Sequence, residues 1–349
     1  MDVFDTVVGH SAPKKLFRAA LASDRLGHAY LFEGPDGVGK RTFAYEVARS
    51  VLCENPSLGV ACGLCRGCRR VTSRQHSDLI LVEREEGSRQ IKIDAVRNLQ
   101  EQLGLRAMEA GARVAILDDA DRLGVAAGNS LLKLLEEPPA RTLLLLLTGN
   151  RPGVLTTLVS RCQIVRFAPL SAEEVLSVLK PRSEHSGEQL ESAAALAEGC
   201  PGKALEILDS GWIELRDWLL DDFLGSSGDP LGRAASLLAK LQAQPEGTKG
   251  SVPLELQRRR LDVVIRLLLS IFRDACFAQA GIEPGRWLHR AREDRIAHLA
   301  SVCGDRWLQD APMLAEEWLG ALASNVSPDL ITERLALDWE KGRSIGSTG

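Results

Sequence analysis

The chain has 349 residues, 45% of them hydrophobic and 26% charged, which is enough apolar material for two or three domains with cores and too much for a disordered polymer. A formal net charge of −4 and an isoelectric point near 6.0 exclude a global electrostatic pull toward nucleic acid, so any such contact needs a local patch or a partner subunit. No apolar run approaches the roughly 20 residues that span a bilayer, and MDVFDTVVGH lacks the basic, apolar, small-residue order of a signal peptide; a cytoplasmic location is expected.

In chain order, HAYLFEG (28–34), LILVE (79–83), ARVAILDDA (112–120), TLLLLLTGN (142–150) and QIVRF (163–167) read as buried strands. Several are continuously apolar, as a parallel sheet covered on both faces requires. Helices are expected between them at about 40–52, 94–104 and 124–136, the second with Asp94 as N-cap. After FAPL the pattern becomes helical: SAEEVLSVLK, then QLESAAALAEGCPGKALEIL, then a long LELQRRRLDVVIRLLLSIFRDACFAQAG preceded by AQPEGTKGSV, expected as a surface loop. The expected class is α/β plus all-α. An α/β domain would cover 1–168, a small helical domain 169–210 and a larger helical domain 211–349.

GPDGVGKRT, with Gly34, Gly37, Gly39 and Lys40, follows the first strand and opens the first of those helices. That is the setting of a phosphate-binding loop, in which backbone N–H groups and a helix N-terminus face the phosphates and the lysine neutralises them. The competing reading is a glycine-rich turn that binds nothing. A competent loop carries Ser or Thr after the lysine to hold Mg²⁺. Here Arg41 stands in that place and Thr42 is displaced by one residue, about 100° around a helix. In VAILDDADRL, Asp118 ends a buried strand where open α/β sheets bind ligands, and it could hold a metal-bound water. Asp119 follows where active ATPases of this type place a longer glutamate, and a helix-capping role competes for both carboxylates.

Cys53, Cys62, Cys65 and Cys68 form C-x8-C-x2-C-x2-C. Four soft thiolates in one short loop point to a structural, tetrahedral Zn²⁺. Cys162, Cys200, Cys276 and Cys303 are scattered. Arg66, Arg69, Arg70 and Arg74 beside the cluster could meet phosphate or a partner, or form a solvated helix face.

VVGHSAPKKLFRAA, GPDGVGKRT, the four-cysteine insert, HSDL, IKIDAVRNLQ, ILDDADRL, AGNSLLKLLEEPP and SRCQIVRFAPL occur in order and together resemble the clamp-loader branch of the AAA+ ATPases, the loader subunits of bacterial DNA polymerase III. The resemblance covers about residues 1–208. It implies an AAA+ P-loop module with a zinc-binding insert and a helical lid, followed by a collar domain. It also implies a hetero-pentamer with gamma/tau and delta subunits that uses ATP to place a sliding clamp on primer-template DNA. Within that branch the chain is similar to a stator-like subunit of the polymerase holoenzyme with weak or absent ATPase of its own, and the motor type is the alternative. Arg161 in SRC would act in trans as an arginine finger. Asn150 falls where such ATPases place a polar sensor of the γ-phosphate. At the second sensor the chain has Gly202 and Lys203 rather than arginine.

Overall fold

The computed structural model describes residues 2–85, 88, 90–105, 107–109, 111–225, 229–243, 251–324 and 326–346. Most of the loop expected at AQPEGTKGSV lies outside them. By contacts the chain divides into two compact units, one running to Ser183 and including Ala197–Leu205, the other made of Glu184–Leu196 and the chain from Glu206 onward. The division passes through the segment for which a separate small helical domain is expected.

The first unit is built on five parallel strands, β1 (Ala29–Glu33), β2 (Leu79–Val82), β3 (Arg113–Leu117), β4 (Thr142–Thr148) and β5 (Gln163–Arg166). Their order across the sheet is β2-β3-β4-β1-β5. All five expected strands are present. Leu31 lies opposite Leu146 on one side and Ile164 on the other, and Ala115 lies between Ile80 and Leu144. Side chains alternate across a strand, so continuous apolar runs feed two cores. Tyr30, Phe32, Ile116 and Leu145 enter one with Phe4, Phe17, Phe43 and Phe167, while Leu31, Leu117, Leu144 and Leu146 enter the other with Val96, Leu99 and Leu131. Each such side chain contributes about 1.5–3 kcal/mol when fully buried.

Helices α1 (Ser11–Ala22), α2 (Lys40–Val51), α3 (Arg66–Thr72), α4 (Ile93–Gly104), α5 (Val125–Glu136), α6 (Thr156–Val159) and α7 (Ala172–Leu179) cover the sheet or follow it. The expected cap at α4 is corrected. The helix starts one residue earlier, Lys92 occupies the N-cap position without a side-chain cap bond, and Asp94 lies in the first turn. There its carboxylate faces the positive end of the helix rather than closing it. QLESAAALAEGCPGKALEIL is two helices, α8 (Gly187–Leu196) and α9 (Pro201–Asp209). Glu198 and Gly199, both at positive φ, separate them.

In the second unit α8 is joined by α10 (Trp212–Trp218), a π-helical turn at Leu219–Phe223, α11 (Pro230–Gln242), α12 (Leu254–Gln279), α13 (Glu293–Val302), α14 (Asp305–Ala323) and α15 (Pro328–Gly346). Its core centres on Phe272, Trp307 and Trp339, whose rings lie 5.1 to 6.0 Å apart. No helix among the described residues is long and apolar enough to cross a membrane.

Candidate nucleotide site and metal centre

The loop after β1 turns into α2 through Gly37 at φ +78° and Gly39 at φ +114°, a backbone that L side chains rarely adopt. A side chain at Gly37 would meet the backbone nitrogen of Lys203 at 2.8 Å. The Gly37 carbonyl accepts a 2.8 Å hydrogen bond from the Gly202 N–H at the start of α9. Lys40 is only 7% exposed. Its ammonium donates to Gly34 O at 2.6 Å and Pro35 O at 2.9 Å, and lies 3.2 Å from Asp36 Oδ1. The lysine is thus held in the mouth of the turn, where phosphate oxygens would compete for it.

Arg41, one residue on, turns toward the carboxyl ends of β2 and β3. Its Nη1 contacts the Glu83 carboxylate and lies 3.3 Å from Asp118 Oδ2, and the guanidinium stands 6.0 Å from the Tyr45 ring centroid. Burial opposes its charge, yet Tyr45, Glu83 and Asp118 outweigh that and hold it above the ordinary arginine value. Burial likewise pushes the Asp118 carboxyl up, and Arg41 pulls it back. The second Asp118 oxygen accepts the Asp119 N–H at 3.1 Å. Asp119 itself sits at φ 55° with its carboxylate 2.7 Å from Arg84 Nε. Thr42 is exposed.

Lys40, Arg41 and Asp118 line a cavity of about 520 Å³ together with Gly37, Gly39, Thr42 and Asp119. Val7, Val8, Leu170, Val178, Pro181 and Leu205 add apolar wall, and Arg182 a further cation. Fixed cations beside apolar side chains suit a ligand that carries both an anionic and an apolar part. His10 closes the floor: its Nε2 lies 3.0 Å from the Val38 carbonyl, which fixes the proton on that nitrogen, and burial lowers its basicity.

Asn150 is exposed beyond β4, and its N–H donates to Thr148 Oγ1 at 3.0 Å; it is not among the residues lining the cavity. Arg161 follows α6 and also lies outside the lining. Its Nη2 pairs with Glu136 of α5 at 2.6 Å and Nη1 donates to Thr157 O at 3.0 Å. Lys203 Nζ is 3.9 Å from Glu198.

Cys53 follows the end of α2, Cys62 and Cys65 precede α3, and Cys68 lies within it. The four sulfurs lie within 4.8 Å of one another, with contacts of 3.6, 3.9 and 4.0 Å. A tetrahedron of about 2.3 Å Zn–S bonds has edges of about 3.8 Å, so the set fits a zinc ion. Backbone N–H groups of Cys62, Cys65 and Cys68 point at Cys53, Cys62 and Cys65 sulfur at 3.3, 3.4 and 3.3 Å, the polarity thiolates need. Arg70 and Arg74 of the neighbouring basic run are engaged, by Glu109 and over Tyr45 respectively.

A family model described as DNA polymerase III, delta subunit, matches residues 9–171. The delta-prime subunit of DNA polymerase III from Escherichia coli K12 is 35% identical over 228 residues, covering 64% of this chain and 68% of that protein. The chain belongs to the DNA polymerase III delta-prime family. Delta-prime subunits from Pseudomonas aeruginosa, 36% identical over 54% of this chain and 58% of theirs, and Bacillus subtilis, 38% identical over 46% and 48%, are further members it resembles. A gamma subunit-related protein from Thermotoga maritima aligns over 95% of this chain and 99% of its own at 18% identity, with a TM-score of 0.44.

Against that family membership, two residues stand out that the motifs did not supply, Glu83 and Arg84. Both follow β2 at the carboxyl edge of the sheet, the same edge that singled out Asp118. That edge argument was available for Glu83, the last residue of LILVE. His10, in the quoted VVGH, gave no chemical signal of its own.

Proposed function

We propose that this chain serves in DNA replication as a delta-prime-like stator of the clamp loader, lending Arg161 to a neighbouring ATPase instead of hydrolysing ATP itself. Its partners would be gamma/tau and delta subunits in a hetero-pentamer that acts on the sliding clamp and primer-template DNA in the cytoplasm. In this reading residues 1–168 and 169–210 form the ATPase-like module and lid, 211–349 the collar, and the four thiolates hold zinc. The cavity at the phosphate loop retains a nucleotide as a structural ligand through Lys40, with Asn150 left outside the lining.

The observation that carries the reading is the engagement of both carboxylates a hydrolysing site needs free: Asp118 by Arg41 and Asp119 by Arg84. Arg161 is held by Glu136 in an exposed ion pair, which a neighbour's phosphates can displace. A guanidinium supplied in trans accelerates phosphoryl transfer by about 10³–10⁵. The gamma/tau motor alternative has support in a 29% identical tau subunit from Bacillus subtilis, and the same two ion pairs oppose it.

The test is ATPase of the loader reconstituted with Arg161→Ala in place of the parent chain. Assembly should persist while clamp-stimulated turnover falls by at least about tenfold. Unchanged turnover would remove the finger.

A further inference from the structure

Resting on the reading of residues 34–42 as a nucleotide site, we propose that the chain binds a nucleoside di- or triphosphate without a divalent cation, because Arg41 occupies the place of the metal. In hydrolysing phosphate loops Mg²⁺ is held by the hydroxyl after the lysine and by the carboxylate at the end of the facing strand. Here the first ligand is gone, since position 41 is arginine. The second already has a partner on each oxygen, one of them a cation: Oδ2 of Asp118 faces Arg41 Nη1 at 3.3 Å and Oδ1 accepts the Asp119 N–H at 3.1 Å.

Mg²⁺ binds oxygen at about 2.0–2.1 Å in near-ideal octahedral geometry, and at Asp118 it would meet the guanidinium head-on. Two like charges sharing one carboxylate repel strongly in a half-buried setting. For Arg41 to leave Asp118 it must also give up Glu83, which contacts the same nitrogen, and the Tyr45 ring that flanks the guanidinium. Thr42, the nearest hydroxyl in sequence, lies about 100° further around α2.

What the site lacks in metal it makes up in fixed cations. Lys40, Arg41 and Arg182 all line the cavity, and α2, twelve residues long, presents its N-terminus there. A guanidinium donates to phosphate oxygens in a fork and never loses its charge. The nucleotide is therefore held by groups that do not depend on free magnesium, and the ion that would polarise its γ-phosphate is kept away.

The experiment is equilibrium binding of N-methylanthraniloyl-ADP and the corresponding ATP analogue to the full chain, in magnesium and in EDTA, alongside electron paramagnetic resonance of Mn²⁺ added with ADP. The parent chain should bind equally in both buffers, within about twofold, and leave the Mn²⁺ signal free. Arg41→Thr should gain at least about tenfold from magnesium and capture Mn²⁺. A parent chain whose affinity rises about tenfold with magnesium, or that captures Mn²⁺ with ADP, overturns the proposal. So does absence of binding in both buffers, which leaves the Arg161 reading standing because that is decided in the reconstituted loader. The parent comparison decides the matter even where the variant fails to fold.

Discussion

Asp119 Oδ2 lies 2.7 Å from Arg84 Nε, across the carboxyl ends of two adjacent strands. The carboxylate next to Asp118 is therefore paired along the sheet edge, on a left-handed backbone, rather than free to orient a water. The pair is two-fifths exposed on either side, so Arg84→Ala should change stability by no more than about 1 kcal/mol. Phosphate release by the isolated chain with ATP and magnesium should stay at background in the parent and in Arg84→Ala, since Arg41 still covers Asp118. Steady turnover in either would make the motor reading the better one.

The Arg161–Glu136 pair bridges the end of α6 to α5 in the open, with side chains 37% and 52% exposed. Exposed pairs are worth about 0.2–1 kcal/mol, a barrier a neighbour's phosphates can overcome. Urea unfolding of Glu136→Ala and Arg161→Ala should shift by less than about 1 kcal/mol each. A loss well beyond that would mark the arginine as a fold element.

At the thiolate centre, metal analysis of the full chain should return about one zinc per chain. Cys65→Ser removes one of the four candidate ligands, while the serine hydroxyl can still cap α3 by accepting the Cys68 N–H that the sulfur accepts in the parent. The variant should lose the metal and melt several degrees lower, and strong chelators should do the same to the parent. A metal-free parent with an unaltered melting curve contradicts a structural role.

His289 is fully buried, with Nε2 2.9 Å from Ser270 Oγ and its backbone N–H donating to Asp274 Oδ2 at 2.7 Å. Burial first, then the charges of Arg216 and Arg273, depress its pKa to about 3. The folded histidine stays neutral while the unfolded one protonates near 6.5, so its share of stability is present above that value and drains away as pH falls toward 3. Asp274, raised by burial, works in the opposite sense, and comparison of a variant with the parent cancels it. His289→Gln should therefore gain on the parent by about 2 kcal/mol between pH 7 and pH 5, read from denaturant titrations. Parallel curves would show that the imidazole is not sealed off.

The five strands were legible because a sheet covered on both faces needs uninterrupted apolar runs, and TLLLLLT is too short and too continuously apolar for anything but a central strand. The helices beside them were legible to within one or two residues, except that Asp94 drew the start of α4 one position too late. The break between α8 and α9 was missed because its signal is a positive φ at Glu198 as well as Gly199, and glutamate does not announce that conformation. In the site, residue types gave the defect at position 41 but not its consequence. Arg41 and Asp118 stand 77 residues apart, and only the sheet order brings them together with Glu83. The pairing of Asp119 with Arg84 depends on a backbone state that its sequence neighbours do not dictate.

Helix α2 begins at Lys40 and ends at Val51, two residues before Cys53. A rod of twelve residues, about 18 Å long, is thus clamped at one tip by the thiolate cage and at the other by the glycine turn. A shift of the rod along its axis carries both ends with it. The two centres share a single surveyor's datum, and a disturbance that loosens the sulfur end deprives the arginine at the far end of its fixed bearing.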